Sequence, residues 1–233
     1  HLDKQLMRDE FAGKDVLVTG AAGSIGSELC RQLARMDVKQ LVLLDNGETP
    51  LHNIRLELEE HFPKLNFIPV IADVRVKTRL DKIFSIYKPQ IVFHAAAYKH
   101  VPLMEENPCE SVLVNVVGTR QVADACVKYG VEKMIMISTD KAVNPTSVMG
   151  CCKRIAEIYC QSLGIAVSKG KVKGITKFVT TRFGNVLGSN GSVIPLFQHQ
   201  IEEGGPVTVT DPKIIRYFMT IPEACRLVME AAT

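Results

Sequence analysis

The sequence predicts a doubly wound α/β fold, and three observations predict it. Short β-branched runs alternate with amphipathic stretches, which is the signature of βα units. The runs at Val16–Val18 and Met134–Ile137 are almost wholly apolar, as strands covered on both faces should be. The first run leads into Thr19-Gly20-Ala21-Ala22-Gly23-Ser24-Ile25-Gly26, a GxxGxxG turn that follows a buried strand and opens a helix.

Taken in order, strands are expected at Asp15–Thr19, Gln40–Leu44, Asn66–Val70, Gln90–His94, Lys133–Ile137 and Thr176–Thr181. Helices are expected at Ser24–Met36, Thr49–His61, Val76–Tyr87, Pro108–Tyr129, Ser147–Leu163 and Val193–Glu202. Right-handed crossovers then give a sheet in the order 3-2-1-4-5-6, the Rossmann arrangement. The Lys- and Gly-rich stretch Gly164–Gly174 reads as an exposed loop. Residues 1–12 read as a linker or chain edge, because His1–Phe11 is polar and lacks a clear partner. Residues 13–183 read as the dinucleotide-binding domain. Residues 184–233, where Gly and Pro punctuate short elements before an apolar helix at Pro222–Ala232, read as the start of a smaller substrate-binding part, incomplete in this chain.

Bulk properties narrow the function. A chain of 233 residues with 46% apolar and 23% charged residues has an ordinary globular balance. A net charge of +3 is too small to argue for nucleic acid as the main partner. The seven Cys are scattered without a CxxC pair, so neither zinc nor a disulfide framework is indicated and no metal site is expected. A reducing, cytoplasmic setting is the simplest reading. No apolar run reaches bilayer-spanning length and no signal peptide opens the chain, so no membrane contact is expected from these residues.

The glycine turn carries the cofactor reading. Gly20 permits the tight turn, Gly23 lets a pyrophosphate approach the backbone, and Gly26 lets helix and strand pack closely. The helix N-terminus, with Ser24 and Ile25, offers N–H groups and a positive dipole end to phosphates. Such glycines alone more often mark a tight turn; the strand–turn–helix context makes them a dinucleotide signal. Asp45 ends the second strand, where a carboxylate accepts from ribose hydroxyls and repels a 2′-phosphate, favouring NAD over NADP. It also suits a turn, since Asn46-Gly47 follows. Asp73 and Val74 follow the third strand and suit the adenine edge. Ala95, Ala96 and Ala97 end the fourth with small side chains that leave space or simply pack. Asn115 and Lys153 complete the expected cofactor contacts.

The fifth strand runs into Ser138-Thr139-Asp140-Lys141. In open α/β sheets ligands sit beyond the carboxyl ends of the strands, so this polar cluster is placed for chemistry. A surface ion pair is the plainer alternative. Downstream, Met149 and Lys153 lie four apart and share one helix face.

This pattern resembles the extended short-chain dehydrogenases/reductases, whose usual pair is Tyr-x-x-x-Lys; here Met149 stands in the Tyr position, and a Met can neither donate nor accept a proton. One branch matches this departure. Thr19–Gly26, Ala95–Glu105, Ser138–Thr146, the Met149…Lys153 pair and Arg182–Ser189 all resemble the bacterial polysaccharide-biosynthesis nucleotide-sugar 4,6-dehydratases, in particular the larger UDP-N-acetylglucosamine 4,6-dehydratases. The resemblance runs from Gly13 onward. Its larger members usually carry an N-terminal membrane region, so the chain is expected to be the excised cytoplasmic domain of a membrane-anchored parent. Two rival readings are a nucleotide-sugar epimerase, which normally keeps the Tyr and lacks the adjacent Asp-Lys, and a silent NAD-binding module.

The resemblance implies an internal redox cycle on a UDP-sugar: oxidation at C4, loss of the C5 proton and C6 hydroxyl, and return of the hydride to C6, with NAD regenerated. It implies Lys141 as base, Asp140 as acid, Lys153 on the nicotinamide ribose and near O4, Thr139 on O4, and Met149 against the sugar or nicotinamide. To accept a proton Lys141 must be neutral, which desolvation and nearby Lys153 favour and an ionised Asp140 opposes. Asn185, Ser189 and Ser192 resemble the nucleotide-contacting stretch. Arg216 suits the diphosphate, since a guanidinium forks onto phosphate oxygens. Lys99 and His100 lie in the loop expected near the sugar. A homo-oligomer through Pro108–Tyr129 and Ser147–Leu163 is also expected.

Overall fold

A computed structural model describes residues 4–188, 193–209, 213 and 217–233. Ser189, Ser192 and Arg216 lie outside the described residues. Six parallel strands form the main sheet: β1 (Asp15–Thr19), β2 (Gln40–Asp45), β3 (Phe67–Ile71), β4 (Ile91–His94), β5 (Lys133–Thr139) and β6 (Lys177–Phe183). Their order is β3-β2-β1-β4-β5-β6, the one the crossover rule predicts. The connecting helices are α2 (Ser24–Leu33), α3 (Glu48–His61), α4 (Lys77–Tyr87), α7 (Thr119–Lys128) and α8 (Val148–Ser168).

The apolar strands bury both faces. Val16, Val18, Leu41, Leu43, Ile91, Phe93, Ile135 and Ile137 point into one core, beside Leu29, Cys30 and Leu33 of α2. Their neighbours Leu17, Val42, Leu44, Val92, Met134 and Met136 point into the other, against side chains of α4, α7 and α8. The period-2 alternation of a strand therefore feeds two cores rather than one core and solvent.

Three expectations need correction. The described part of the N-terminal stretch does have a partner: Lys4–Phe11 is helix α1. Its Met7 and Phe11 are buried in the first core, Phe11 lies 5.8 Å from the Phe93 ring, and Glu10 binds Lys133 at 2.8 Å. The stripe was hidden by polar residues on the other face of a short helix. The stretch beginning at Gly164 is not all loop, because α8 continues to Ser168. The Pro108–Tyr129 helix is not regular: α6 (Pro108–Ser111) passes through a π-helical stretch, Val112–Gly118, before α7. A Cβ on Gly118 would meet Val74 Cγ2 at 2.7 Å, so Val74 packs against the wide turn.

Five more elements complete the described fold. α5 (Val101–Glu106) places Pro102 in its first turn, where no N–H is needed. β7 (Asn185–Leu187) and β8 (Phe218–Thr220) form a separate parallel pair, and α9 (Val193–Glu202) lies between them in sequence. The closing helix α10 (Ile221–Glu230) opens on a capping box of Thr220 and Glu223. It packs on α2 and sends Cys225, Val228 and Met229 into the first core. Among the described residues no helix is long and apolar enough to cross a membrane.

Candidate active site

The carboxyl ends of β1, β4, β5 and β6 open on a cleft of about 610 Å³. Its floor is the glycine turn. Gly20 holds φ +65°, and a Cβ there would lie 2.6 Å from the Ala96 nitrogen, so glycine is required both for the turn and for the close approach of β1 to the β4 end. A Cβ on Gly26 would lie 1.9 Å from the Gly20 carbonyl oxygen. Gly23 differs: its Cβ would meet only that oxygen, at 3.3 Å. Protein packing scarcely explains its missing side chain, whereas a ligand lying against its backbone does. Gly23 is the N-cap of α2, no side chain caps that helix, and its first turn carries no acidic residue. A helix N-terminus in this state suits a phosphate. The cradle therefore fits the dinucleotide that the fold implies, with Gly20, Gly23, Ser24, Ile25 and Gly26 along it.

Asp45 sits at the other end of this floor. Its Oδ2 accepts from the Ala22 nitrogen at 2.9 Å and its Oδ1 from the Gly47 nitrogen at 2.8 Å. The carboxylate thus braces the glycine turn and the Asn46-Gly47 turn together. Asp73 is forked by Arg75 (Nε to Oδ1 3.0 Å, Nη2 to Oδ2 2.7 Å), and that guanidinium holds it below the ordinary carboxylate range. Asp45, Asp73, Val74, Ala96 and Asn115 are not in the cleft lining, whereas Ala95 and Ala97 are.

Asn115 acts from behind. It is fully buried in the π-helical stretch, accepts from the Tyr98 nitrogen and donates to the Tyr98 oxygen, both at 2.9 Å. It clamps the loop that carries Lys99 and His100 to the cleft. A buried polar chain backs the clamp. The Ala96 nitrogen donates to Thr19 Oγ1 (3.3 Å), leaving the Thr19 proton for His94 Nδ1 (2.7 Å). His94 Nε2–H then donates to Thr119 Oγ1 (2.9 Å), whose proton goes to the Asn115 carbonyl (2.8 Å). Every donor has one acceptor only if His94 is neutral. Burial, with the nearby Lys153 charge, pushes the imidazole down to about 3.

At the far wall, β5 ends at Thr139 and a 3₁₀ turn, Asp140–Ala142, follows. Thr139 Oγ1 donates to Asp140 Oδ1 at 2.9 Å, and the Lys141 nitrogen donates back to Thr139 Oγ1 at 3.3 Å. Lys141 Nζ lies 3.4 Å from both Asp140 Oδ1 and Asn185 Oδ1, so β7 brings Asn185 to the same group. Gly184 lies beside this group: a Cβ there would come 3.2 Å from the Tyr217 carbonyl oxygen and make an ordinary contact with Asp140 Oδ2 at 3.4 Å. Thr139, Lys141 and Asn185 line the cleft, and Asp140 stands half-exposed behind them. Lys99 lines the mouth, and partial burial together with the Lys141 charge lowers its affinity for a proton.

Helix α8 begins at a Ser147 cap on the Gly150 nitrogen and turns Met149 and Lys153 inward, 2% and 5% exposed. Lys153 Nζ donates to the Ile137 carbonyl at 2.9 Å, and burial pushes it down to about 8 against the opposing pull of Glu157. The glycine turn with Ala95 and Ala97 thus shares one cleft with Lys99, His100, Thr139, Lys141, Met149, Lys153 and Asn185, and the other predicted residues among those described do not line it. Sequence reasoning missed Val101 to Met104, Phe183 and Val186, which supply its apolar walls. The Pro102 in a helix-opening position was the signal for the first of these.

The model of the family described as "Polysaccharide biosynthesis protein" matches residues 16–233. The chain belongs to this polysaccharide-biosynthesis family. It is 54% identical over 231 residues to the capsular polysaccharide biosynthesis protein CapD of Staphylococcus aureus, covering 99% of this chain and 38% of that protein. It is 36% identical to a protein named UDP-glucose 4-epimerase of Rickettsia rickettsii, covering 95% of this chain and 63% of the other. The family chain thus spans well under half of the CapD length. Among solved structures, Pen from Bacillus thuringiensis matches with a TM-score of 0.85 and 35% identity, over 95% of this chain and 67% of that one. A UDP-glucose 4-epimerase of Thermus thermophilus in complex with NAD matches with a TM-score of 0.73 and 27% identity, over 90% and 71%.

Proposed function

We propose that this chain carries the NAD site and the reacting residues of a nucleotide-sugar 4,6-dehydratase. Its substrate is a UDP-N-acetylhexosamine, UDP-N-acetylglucosamine by preference, and its product a 4-keto-6-deoxy sugar nucleotide for surface glycan synthesis. The observation that carries the reading is that Thr139 and Lys141 line the same cleft as Met149 and Lys153, with Asp140 hydrogen-bonded to both from behind. An epimerase needs only to move a hydride to and from C4. A dehydratase also needs a base at C5 and an acid at the C6 oxygen, and Lys141 beside Asp140 supplies the pair.

NAD, favoured over NADP by Asp45, supplies when bound a reversible acceptor for the sugar's C4 hydride. The chain's own groups do the rest. The glycine turn holds the pyrophosphate, and the Ala95–Ala97 end of β4 leaves room beside it. Lys153, charged and buried, stabilises negative charge developing on O4. Met149 excludes water from this face and transfers no proton. Lys141 takes the C5 proton that the C4 ketone acidifies, and Asp140, when protonated, gives its proton to the departing C6 hydroxyl. Asn185 Oδ1 and Asp140 Oδ1 hold the Lys141 amine between them. The O4 proton lost on oxidation passes through the Thr139 hydroxyl to Asp140, which then carries the proton it gives to the C6 oxygen.

Lys99, His100 and Asn185 bind the sugar nucleotide in this reading, together with Ser189, Ser192 and Arg216. Exposed Ile155, Ile158 and Ile165 along α8 support a homo-oligomer through that helix. The proposal sets the reaction in the cytoplasm, on a domain of a membrane-anchored parent. The Rickettsia relatives' name supports an epimerase as the second reading, and the missing hydroxyl at Met149 argues against it. Incubation with UDP-N-acetylglucosamine, followed by mass spectrometry, tests the choice. Loss of one water without net NAD consumption is the expected result; an unchanged mass with NAD bound overturns it.

A further inference from the structure

Two polar ties hold α8 to the carboxyl ends of the sheet. Lys153 Nζ reaches the Ile137 carbonyl of β5, and one helical turn later Glu157 reaches Arg182 of β6. The two anchor points are neighbours, since Arg182 pairs in register with Ser138, the residue after Ile137. Glu157 is 5% exposed at its side chain. Arg182 Nε donates to its Oε1 at 2.8 Å, Arg182 Nη2 donates to its Oε2, and Arg154 Nη1 donates to Oε2 at 3.1 Å. Burial opposes the charge on a carboxylate this deep, and Arg182, then the nearby Ser138 hydroxyl and Arg154, together outweigh that and hold it below the ordinary carboxylate range.

The same carboxylate serves the ammonium one turn away. Residues four apart on a helix share a face, so Glu157 lies on the side of α8 that Lys153 presents to the sheet. Among the described residues, the titratable and charged groups around Lys153 are Glu157 and Cys160 on α8, His94 on β4, and Arg154 and Arg182 beyond Glu157. His94 is neutral and the Cys160 thiol is pushed up to about 12 by burial. Glu157 is therefore the buried anion nearest to a buried cation whose hydrogen bond goes to an uncharged carbonyl.

We propose that Glu157 is a positioning residue for the reaction: fixed by Arg182 and Arg154, its carboxylate keeps Lys153 charged and seated on the Ile137 carbonyl beneath the cleft. This rests on the dehydratase reading only for its consequence in turnover; the electrostatic link itself is independent of substrate. Arg182 and Lys153 compete for one carboxylate, so the two ends of the tie have opposite effects. Removing Glu157 strips Lys153 of its counter-charge. Removing Arg182 leaves that counter-charge to Lys153 and Arg154 alone.

The test reads Lys153 directly. The side-chain NMR signal of Lys153, identified by its loss in Lys153→Arg, is titrated in the wild type, in Glu157→Gln and in Arg182→Met. The expected midpoint falls by about one pH unit in Glu157→Gln and rises in Arg182→Met, as loss and gain of a nearby opposite charge require. A merely structural tie would move neither in a folded protein, and an unmoved midpoint in either folded variant overturns the proposal. If Glu157→Gln does not fold, Arg182→Met, at a partly exposed edge-strand position, decides alone. In parallel, the alkaline limb of kcat follows the same order if the dehydratase reading holds. A shifted Lys153 titration without dehydration would defeat that reading and leave the Glu157 link standing.

Discussion

The two ends of the cleft are built from different materials. The cofactor end is made of backbone: three glycines whose missing Cβ atoms set a turn, a close approach and an open helix N-terminus. The reacting end is made of side chains: Thr139, Asp140, Lys141 and Asn185, joined by hydrogen bonds of 2.9 to 3.4 Å and partly open to water. Where backbone closes on backbone, as at Gly20 and Gly26, no side chain is tolerated because nothing can move aside. A side-chain site tolerates substitution in the fold and loses only its chemistry.

The largest effect expected from this contrast is at Gly26. Gly26→Ala puts a Cβ 1.9 Å from a backbone oxygen, and overpacking of that kind costs about 3 kcal/mol. Gly23→Ala should be milder in stability, under about 1 kcal/mol, yet lower dinucleotide affinity at least about tenfold. Denaturant melts and a fluorescence titration with NADH separate the two; equal losses of stability would erase the distinction between a packing glycine and a ligand glycine.

At the other end, Lys141→Met should leave the melt and dinucleotide affinity unchanged. Turnover should fall by about 10²–10⁴, the range for a proton-transfer group. Turnover kept at the wild-type level would remove Lys141 from the chemistry.

Between the ends lies Lys153, where the two sharpen each other. Burial pushes its ammonium down to about 8, and in the proposed mechanism the charged form is the one that stabilises O4. So the alkaline limb of kcat should fall as pH rises through that value. A profile flat to pH 10 would mean that the charge of Lys153 is not used.

The last effect concerns the buried chain behind both ends. His94 has a folded value near 3, against an unfolded value of about 6.5. Its neutral form is the native one, so its contribution to stability is complete above about pH 6.5 and is lost as pH falls toward 3. Stability measured from pH 7 to 4 should decline less steeply in His94→Gln than in the wild type, even though the variant starts lower. Parallel slopes would show that some other group takes up the proton.

The same contrast explains what the sequence made legible. A backbone site is written in glycine spacing after a strand, and the sheet order followed from handedness, so both could be read directly. Met149 and Lys153 were legible because a helix face repeats every four residues. Asn185 was placed by resemblance alone, since no local rule brings β7 to Lys141. The roles of Asn115, His94 and Glu157 were not legible. Each acts through a partner far away in sequence, on the Tyr98 loop, on Thr19 and Thr119, and on Arg182 respectively. Helix α1 was missed because only two of its eight residues, Met7 and Phe11, form its buried stripe, too few for a period to register.

The most direct test of the dehydratase assignment is turnover of UDP-N-acetylglucosamine in deuterated water, with the product washed in ordinary water before its mass is read. Elimination followed by return of the hydride to C6 leaves C5 to be protonated by solvent. The account predicts a product lighter by one water and carrying one deuterium at C5. A product of unchanged mass, without solvent deuterium and with inverted C4, would contradict it and make the chain an epimerase.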